Sequence, residues 1–331
     1  MLPYLVRRIA SAISVVFAAI VASFALFFVA PTDPAGAVCG EARCTPDRYN
    51  DIKKSLGIDR PILVQLWEYL QGIVAGRDFA SGGVIRNCAA PCLGYSYKND
   101  RPVLEMVLDA LPVTLTLVLG ASVIFFTFGV LMGSMAARRR GSRADRLLVG
   151  STLVLSSIPY YVVALLTFLY LVLQFQVLPR PSGATFFGDG PVKWFLNYLT
   201  PWLVLGLVNS TAYARYSRGS MIESLSEDYV RTARAKGLSE RRVAFRHALR
   251  SAITPVVTIY GLDIAALIVG SIFTESIFGL NGLGNLVLRS FRDFDLPVIM
   301  ATTIIGAVVL VTMNLAVDIV YSFLDPRVRL A

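Results

Sequence analysis

The 331-residue chain is 55% hydrophobic and only 16% charged, yet its formal net charge is +9. Soluble domains carry about 25% charged residues, so this composition argues against a soluble enzyme and excludes an intrinsically disordered chain. A basic, apolar chain is typical of a nucleic-acid-binding protein, a lipid-binding protein or a membrane protein with its cations on one side, and the positions of the charges decide between them.

Six stretches are long and apolar enough to cross a membrane, since a transmembrane helix needs about 20 mostly apolar residues. In chain order they are 9–32, 110–137, 147–179, 194–214, 251–274 and 296–317. The residue alternation of a membrane β-barrel is missing from them. The sequence therefore predicts an all-α polytopic membrane protein with six transmembrane helices. Its predicted parts are a first helix (1–30), an extracytoplasmic loop domain (31–103), a core of five transmembrane helices (104–323) and a tail (324–331).

The charges predict which side of the membrane each segment occupies. Arg7 and Arg8 precede the first span, which puts the N-terminus in the cytoplasm by the positive-inside rule. The N-terminus, residues 138–146, residues 215–250 and the tail after Tyr321 then share the cytoplasmic side. These segments hold 18 of the 31 Lys and Arg residues and have a net charge of +12, against −1 on the opposite side. The basicity is thus predicted to reflect an N-in, C-in topology and not a nucleic-acid-binding surface.

The first span also has the features of a secretory signal peptide, with two arginines, an apolar run and the A-x-A-like sequence Ala35-Gly36-Ala37. The apolar core of a signal peptide has about 7–15 residues, whereas this run exceeds 20 residues. An uncleaved membrane anchor is therefore the preferred interpretation.

All four cysteines, Cys39, Cys44, Cys88 and Cys92, lie in the predicted extracytoplasmic loop. This distribution suits an oxidising compartment, where two disulfides would stabilise a small loop domain. Three connectivities are open, of which the local pairs Cys39–Cys44 and Cys88–Cys92 are preferred. The alternative is a zinc site of four thiolates; its spacing is tolerable but its compartment is unfavourable, and no metal site is predicted.

Later in the same loop, a short stretch has the spacing of an amphipathic helix. Leu63, Leu66, Trp67 and Leu70 stand at positions i, i+3, i+4 and i+7. Such a helix lies at a membrane interface, faces a partner protein or packs within its own domain. Packing within the domain is the commonest of these three arrangements.

The loop between the fourth and fifth predicted spans holds nine cations and is read as a helix, a glycine break and a second helix. Gly237 stands where a left-handed residue would end the first helix, and Ser239 is a plausible N-cap of the second. Small apolar surfaces between the cations are offered by Val230, Ala233, Leu238, Val243, Phe245 and Leu249. A rigid, exposed helix pair suits docking into a groove of another protein; a solvated basic loop is the alternative.

This loop resembles that of ABC importer permeases, and above all the B-type subunit of the dipeptide/oligopeptide subfamily. Residues 228–239 read D-Y-V-R-T-A-R-A-K-G-L-S and residues 246–250 read R-H-A-L-R, as in that subfamily. The segment 56–70 is similar to the external segment of the B-type subunit, and Asn281 stands where the family usually has proline. Further segments follow in family order, namely 111–114, 274–278, 282–284, 314–318 and 325–329.

The resemblance implies the type I ABC importer permease fold in a bacterial cytoplasmic membrane. It implies a transmembrane subunit that forms the translocation pathway of an ATP-driven importer for di- and oligopeptides. The implied partners are a second homologous permease, two ATPase subunits and an extracytoplasmic peptide-binding protein, which the external loop and residues 275–295 would face. Glutathione, nickel chelates and oligosaccharides are alternative substrates in the same family.

In that family the loop corresponding to residues 219–250 couples the permease to its ATPase. The residues to which the resemblance carries this role are Ala233, Lys236, Gly237, Leu238, Ser239 and His247. A pH sensor or a ligand is the alternative role for His247, but a single histidine has no partner cluster.

Catalytic motifs are missing from the sequence, which contains no G-x-x-x-x-G-K-[ST], H-E-x-x-H or G-x-S-x-G. The chain is therefore not predicted to be an enzyme or to hold a cofactor, and ATP and Mg²⁺ are expected in the partner ATPases.

Carboxylates inside a membrane are functional candidates by default. Asp263, Glu275 and Asn314 are the candidates for the pathway or its gate, whereas Asp318 is more simply explained by a nearby tyrosine or arginine. A self-sufficient secondary transporter is the remaining alternative, but the inverted repeats typical of that class are not evident.

Overall fold

A computed structural model describes residues 2–28, 34–39, 44–56, 60–81 and 84–324 of the protein. The helices are α1 (Leu2–Phe28), α2 (Pro34–Cys39), α3 (Pro46–Leu56), α4 (Ile62–Ala75), α5 (Val103–Arg138), α6 (Arg143–Ser157), α7 (Tyr160–Leu166), α8 (Phe186–Asp189), α9 (Pro191–Ser226), α10 (Asp228–Ala235), α11 (Glu240–Arg242), α12 (Leu249–Gly270), α13 (Ile272–Phe278), α14 (Leu283–Arg292) and α15 (Leu296–Leu324). Two π-helical segments, Thr167–Gln174 and Val243–Ala248, continue α7 and precede α12. The segment 325–329 quoted for the resemblance lies outside the described residues, as does the side chain of Asp318.

Four strands form two antiparallel hairpins between α4 and α5. They are β1 (Arg77–Ser81), β2 (Val84–Cys88), β3 (Tyr95–Ser96) and β4 (Arg101–Pro102). In the first hairpin Arg77 is opposite Cys88 and Ser81 is opposite Val84. The mostly helical class predicted from the sequence is confirmed, and the short strands belong to the predicted extracytoplasmic loop.

Length and composition identify four helical segments able to cross a membrane among the described residues. They are Arg7–Ala25, Val103–Arg138, Glu240–Gly270 and Leu296–Ala316. A fifth span results if the bent pair Arg143–Ser157 and Tyr160–Gln174 is counted as one. Helix α9, which contains the predicted span 194–214, is not in this set, so the predicted count of six is not confirmed.

The third predicted span is not one straight helix. Its two halves meet at an angle of 90° between Ser157 and Tyr160. Ile158 is extended, with ψ of 126°, as expected for a residue before proline. Pro159 is the N-cap residue of α7, where its missing N–H costs nothing.

Met1–Thr114 and Asn281–Thr312 make up one compact unit. One of its apolar clusters joins the start of α5 to α14 and α15 through Val103, Val107, Leu283, Val298 and Ala301. The backbone N–H of Leu283 donates to the Thr114 hydroxyl at 2.8 Å. These contacts hold the first turns of α5 and α15 together at one end of the two predicted spans.

The part of this unit predicted to be extracytoplasmic has its own small core. Disulfides link Cys39 to Cys44 and Cys88 to Cys92, with Cα–Cα distances of 5.3 and 5.6 Å. All four cysteines contact a cluster that also contains Phe79, Tyr95 and Tyr97, whose rings lie 5.4–6.4 Å apart.

Leu115–Leu280 and Met313–Ala331 make up the second unit. Its helices α5 and α9 approach closely at Gly129 and Gly133, a small-xxx-small pattern typical of packed membrane helices. A Cβ on Gly133 would lie 2.9 Å from the backbone nitrogen of Arg218 and closer still to the Ala214 carbonyl oxygen. Glycine at this position therefore permits the backbone contact between the two helices.

Candidate functional site

The predicted coupling loop folds as two helices joined by a tight left-handed turn. Helix α10 ends at Ala235 with Lys236 as its C-cap residue, and Gly237 follows with φ of +77°, a conformation that favours glycine. The N–H of Gly237 donates to the carbonyl of Arg234 at 2.9 Å, and the N–H of Leu238 donates to that of Ala233 at 3.4 Å. These bonds satisfy the last carbonyls of α10 and fix the direction of the chain.

Ser239 occupies the N-cap position of α11. Its backbone carbonyl accepts the N–H of Val243 at 2.9 Å, but its side chain makes no capping hydrogen bond. The chain then continues through α11 and the π-helical segment into α12 without a break. The second helix of the loop is therefore continuous with a candidate membrane span.

Several of the small apolar residues expected between the cations lie in the interior of this loop. Val230, Ala233 and Val243 have exposures of 0%, 6% and 0%, and they pack with Met221 and Ala248 in one cluster. These side chains have little surface for a partner. Their burial fixes α10 against the end of α9 and the start of the following helix.

The surface of the turn is polar and basic. Its exposed residues are Arg231, Thr232, Arg234, Ala235, Lys236, Gly237, Ser239, Glu240, Arg241 and Arg242, while Leu238 and His247 are half-buried. A Cβ on Gly237 would meet no atom within 4 Å. Of the six predicted coupling residues, Lys236, Gly237 and Ser239 are thus at the surface and Ala233 is beneath it.

Two ion pairs that the sequence analysis does not identify brace the turn and its base. Arg234 Nε donates to Glu240 Oε1 at 2.9 Å, which joins the end of α10 to α11. Arg218 of α9 holds the buried Asp145 of α6 with two bonds of 2.6 and 2.8 Å. The first pair could have been predicted from the sequence, because opposite charges stand on either side of a glycine turn. The second pair joins residues 73 positions apart, and no local sequence pattern predicts it.

The three pathway candidates occupy different surroundings. Asp263, in the middle of α12, accepts a hydrogen bond from the Tyr213 hydroxyl at 2.7 Å. Glu275 of α13 is fully buried and accepts a hydrogen bond from Ser271 at 2.8 Å. Asn314 is half-buried in α15. Asp263 and Glu275 are therefore both held by hydroxyl donors.

Asp295 joins the loop that is predicted to be extracytoplasmic to the start of α15. Its carboxylate accepts hydrogen bonds from the Ser96 hydroxyl and from the Asn99 amide, the latter at 3.2 Å. Asp295 is 1% exposed. Burial raises the pKa of its carboxyl, an effect opposed by the two hydrogen bonds and by Lys98.

A cavity of about 240 Å³ lies beside this region in the same unit. Its charged walls are Arg101, which pairs with Asp109 at 3.0 Å, and Arg289, which donates to Asn281 at 2.8 Å. The side chain of Asn281 therefore forms a hydrogen bond that a proline at this position could not form. The lining residues are Arg101, Met106, Asp109, Ala110, Val113, Asn281, Gly282, Asn285, Leu286 and Arg289.

Comparison with known proteins identifies the class. The family described as "Binding-protein-dependent transport system inner membrane component" matches residues 129–330. The N-terminal part of membrane components of the same systems matches residues 1–118. The chain belongs to this family, and it is a multi-pass permease of the bacterial inner membrane.

Curated relatives match nearly the whole chain. A probable peptide ABC transporter permease, y4tP, of Sinorhizobium fredii is 32% identical over 326 residues, covering 98% of this chain and 99% of the relative. The dipeptide transport system permease DppB of Escherichia coli K12 is 31% identical over 351 residues, covering 99% of each. A putative peptide transport system permease of Brucella abortus is 34% identical over 325 residues, covering 98% of each. The predicted family, an ABC importer permease, is confirmed.

A solved structure shows the same fold. The inward-facing MetNI methionine ABC transporter matches with a TM-score of 0.55 at 14% identity, covering 67% of this chain and 97% of that chain. The predicted type I ABC importer permease fold is thereby confirmed. At this identity the likeness concerns the fold alone.

Proposed function

We propose that this permease is one transmembrane subunit of an ATP-driven importer for di- and oligopeptides. The names of the relatives from Sinorhizobium, Escherichia and Brucella, all peptide or dipeptide permeases, support peptides as the substrate class. The chain forms the translocation pathway together with a second, homologous permease subunit. An extracytoplasmic peptide-binding protein delivers the substrate, and two ATPase subunits bind ATP with Mg²⁺ and hydrolyse it.

The observation that carries this proposal is the braced, basic turn between α10 and α11. A docking element needs a rigid shape and an exposed surface, because ordering a flexible loop on binding costs conformational entropy. The turn has both properties, since Val230 and Val243 are buried while Lys236 and Gly237 are exposed. We assign Lys236, Gly237, Leu238, Ser239 and the half-buried His247 to the ATPase contact, with Ala233 supporting them from beneath.

The pathway is assigned to the second unit. Asp263, Glu275 and Asn314 are the candidate lining or gating residues in this proposal. The extracytoplasmic cavity between Arg101 and Arg289 carries both signs of charge, which suits a zwitterionic peptide. Hydrogen bonds from hydroxyl groups, such as the one from Tyr213 to Asp263, hold the carboxylates of Asp263 and Glu275 in fixed positions.

The test compares two glycines of the coupling loop in the transporter assembled with its partner subunits in proteoliposomes. Gly237→Val forces a β-branched residue into the left-handed region, which it strongly disfavours, and we expect loss of ATPase co-purification and of ATP-driven peptide uptake. Gly219→Ala is the matched control, because Gly219 lies within α9 and a Cβ there meets no atom within 4 Å.

Two results would contradict the proposal. One is uptake at the wild-type level by Gly237→Val. The other is uptake that follows a proton gradient and continues without ATP, as expected of a secondary transporter. The thermal unfolding midpoint of each variant, measured alongside, separates a loss of coupling from a loss of folding.

A further inference from the structure

Helix α4 carries an apolar face that is wider than its contact with the protein. Tyr69 is 1% exposed, and together with Leu66 and Ile73 it packs against Phe24 of α1 and Met300 of α15. At about 100° per residue, a second row of apolar residues lies beside this buried side. It consists of Leu63, Trp67, Leu70 and Val74, called here the α4 stripe.

The α4 stripe is largely uncovered. Leu63, Trp67 and Val74 are 76%, 67% and 79% exposed. Glu68 is the only charged residue of α4. It lies on another side of the helix and pairs with Arg60. Helix α4 therefore has a buried side, an apolar exposed side and a polar side.

The buried side places α4 at a defined depth. Met300 and Ile304 stand four and eight residues inside the candidate span Leu296–Ala316, which at 1.5 Å per residue is about 6 and 12 Å from its end. Phe24 and Ile20 likewise stand four and eight residues before the end of α1 at Phe28. Interfacial helices bury their apolar face about 5–10 Å into the boundary between headgroups and acyl chains, so the two depths agree.

The surface next to α4 is itself of the kind that faces lipid. Ile13, Phe17, Ile20 and Phe24 follow one another on a single face of α1, at spacings of four, three and four residues. Helix α4 covers the last two, whereas Ile13 and Phe17 are 64% and 52% exposed. The α4 stripe thus continues the uncovered apolar surface of a candidate membrane span.

From this geometry we propose that α4 is an interfacial helix whose stripe inserts into the bilayer leaflet where α1 ends and α15 begins. By the predicted topology this is the extracytoplasmic leaflet. With 14 residues the helix is about 21 Å long, too short to span about 30 Å of hydrocarbon. Trp67 is the type of residue enriched at such interfaces, because its ring is apolar and its N–H is polar. The anchor holds the loop domain against the membrane surface.

The experiment places a nitroxide spin label on α4 in the assembled transporter, with all its partner subunits, in lipid nanodiscs. Val74→Cys labels the stripe, and Ala75→Cys is the matched control, exposed as well and about 100° further round the helix. The four native cysteines are in disulfides and do not react. We expect the label at position 74 to collide several-fold more often with O₂, which concentrates in lipid, than with a water-soluble nickel chelate, and the label at position 75 to show the reverse order.

Two outcomes would overturn the proposal. Frequent collision of the position-74 label with the nickel chelate would place the stripe in water. Low collision with both reagents would mean that a protein covers it. If Val74→Cys fails to fold, quenching of tryptophan fluorescence by brominated lipids tests the same proposal. Trp67 in the bilayer contributes fluorescence that these lipids quench, so Trp67→Phe should remove a quenched component of the emission. An unchanged quenched component would overturn the proposal.

Discussion

At the scale of single residues, the Arg234–Glu240 ion pair is a bond between side chains that spans the coupling turn. Both partners are largely exposed, and exposed pairs contribute about 0.2–1 kcal/mol. We expect Arg234→Glu and Glu240→Arg each to weaken ATPase association by up to about fivefold, because each places like charges side by side. Binding of the purified ATPase subunits to the permease in nanodiscs measures the effect.

The doubly exchanged variant is the control for this prediction. Carrying Glu at position 234 and Arg at position 240, it restores the attraction across the turn and should recover most of the affinity. If the double variant binds as poorly as the worse single variant, the two side chains contact the ATPase directly, and their role in bracing the turn is contradicted.

Asp295 offers a pH-dependent prediction at the same scale. A carboxyl whose pKa is raised by folding binds its proton more tightly in the native state, so its ionisation removes stability as the pH rises above its usual value near 4. Asp295→Asn keeps a hydrogen-bond acceptor and a good N-cap residue but has no charge. We therefore expect its thermal unfolding midpoint to exceed that of the wild type at pH 7 and to approach it towards pH 4. A lower midpoint than wild type at pH 7 would contradict this account.

At the scale of helices, the contact between α5 and α9 is made by backbones and not by large side chains. Gly133→Ala inserts a methyl group against Arg218 N and the Ala214 carbonyl, and overpacking of this kind costs about 1–3 kcal/mol. Gly150 of α6 has open space around it, so Gly150→Ala should be neutral or stabilising by up to about 1 kcal/mol. The unfolding midpoint is expected to fall for Gly133→Ala and to stay the same or rise for Gly150→Ala, and equal shifts would mean that the close approach carries no stability.

The helices were largely predictable from the sequence, whereas their breaks and contacts were not. Apolar runs identify the cores of α1, α5, α12 and α15, because the membrane demands about 20 apolar residues of any crossing helix. Pro159 is a local signal for a break, but its 90° bend depends on what each half packs against. The burial of Val230 and Val243 likewise depends on contacts with α9, and no local sequence pattern predicts those contacts.

At the scale of the whole molecule, α9 contains a predicted span but is more polar than the four candidate spans. Its 36 residues extend over about 54 Å, well beyond the hydrocarbon thickness of about 30 Å. Its polar residues lower its mean hydropathy, yet Asn197, Thr200 and Thr211 are 2%, 0% and 7% exposed. All three are bonded inside the protein, since Asn197 accepts two backbone N–H groups, Thr200 donates to the Pro179 carbonyl and Thr211 donates to the Val208 carbonyl.

Polar side chains cost little in a membrane when they face the protein interior and have partners there, so we expect α9 to cross. Phe187, before α9, is 97% exposed, and Glu227, directly after its other end, is also exposed. In intact cells a membrane-impermeant maleimide should label Phe187→Cys directly and Glu227→Cys only after the membrane is permeabilised. The native disulfides leave no competing thiol among the described residues. Labelling of both positions from the same side would mean that α9 does not cross, and the +12 charge assigned to the cytoplasmic segments would then have to be divided between the two faces of the membrane.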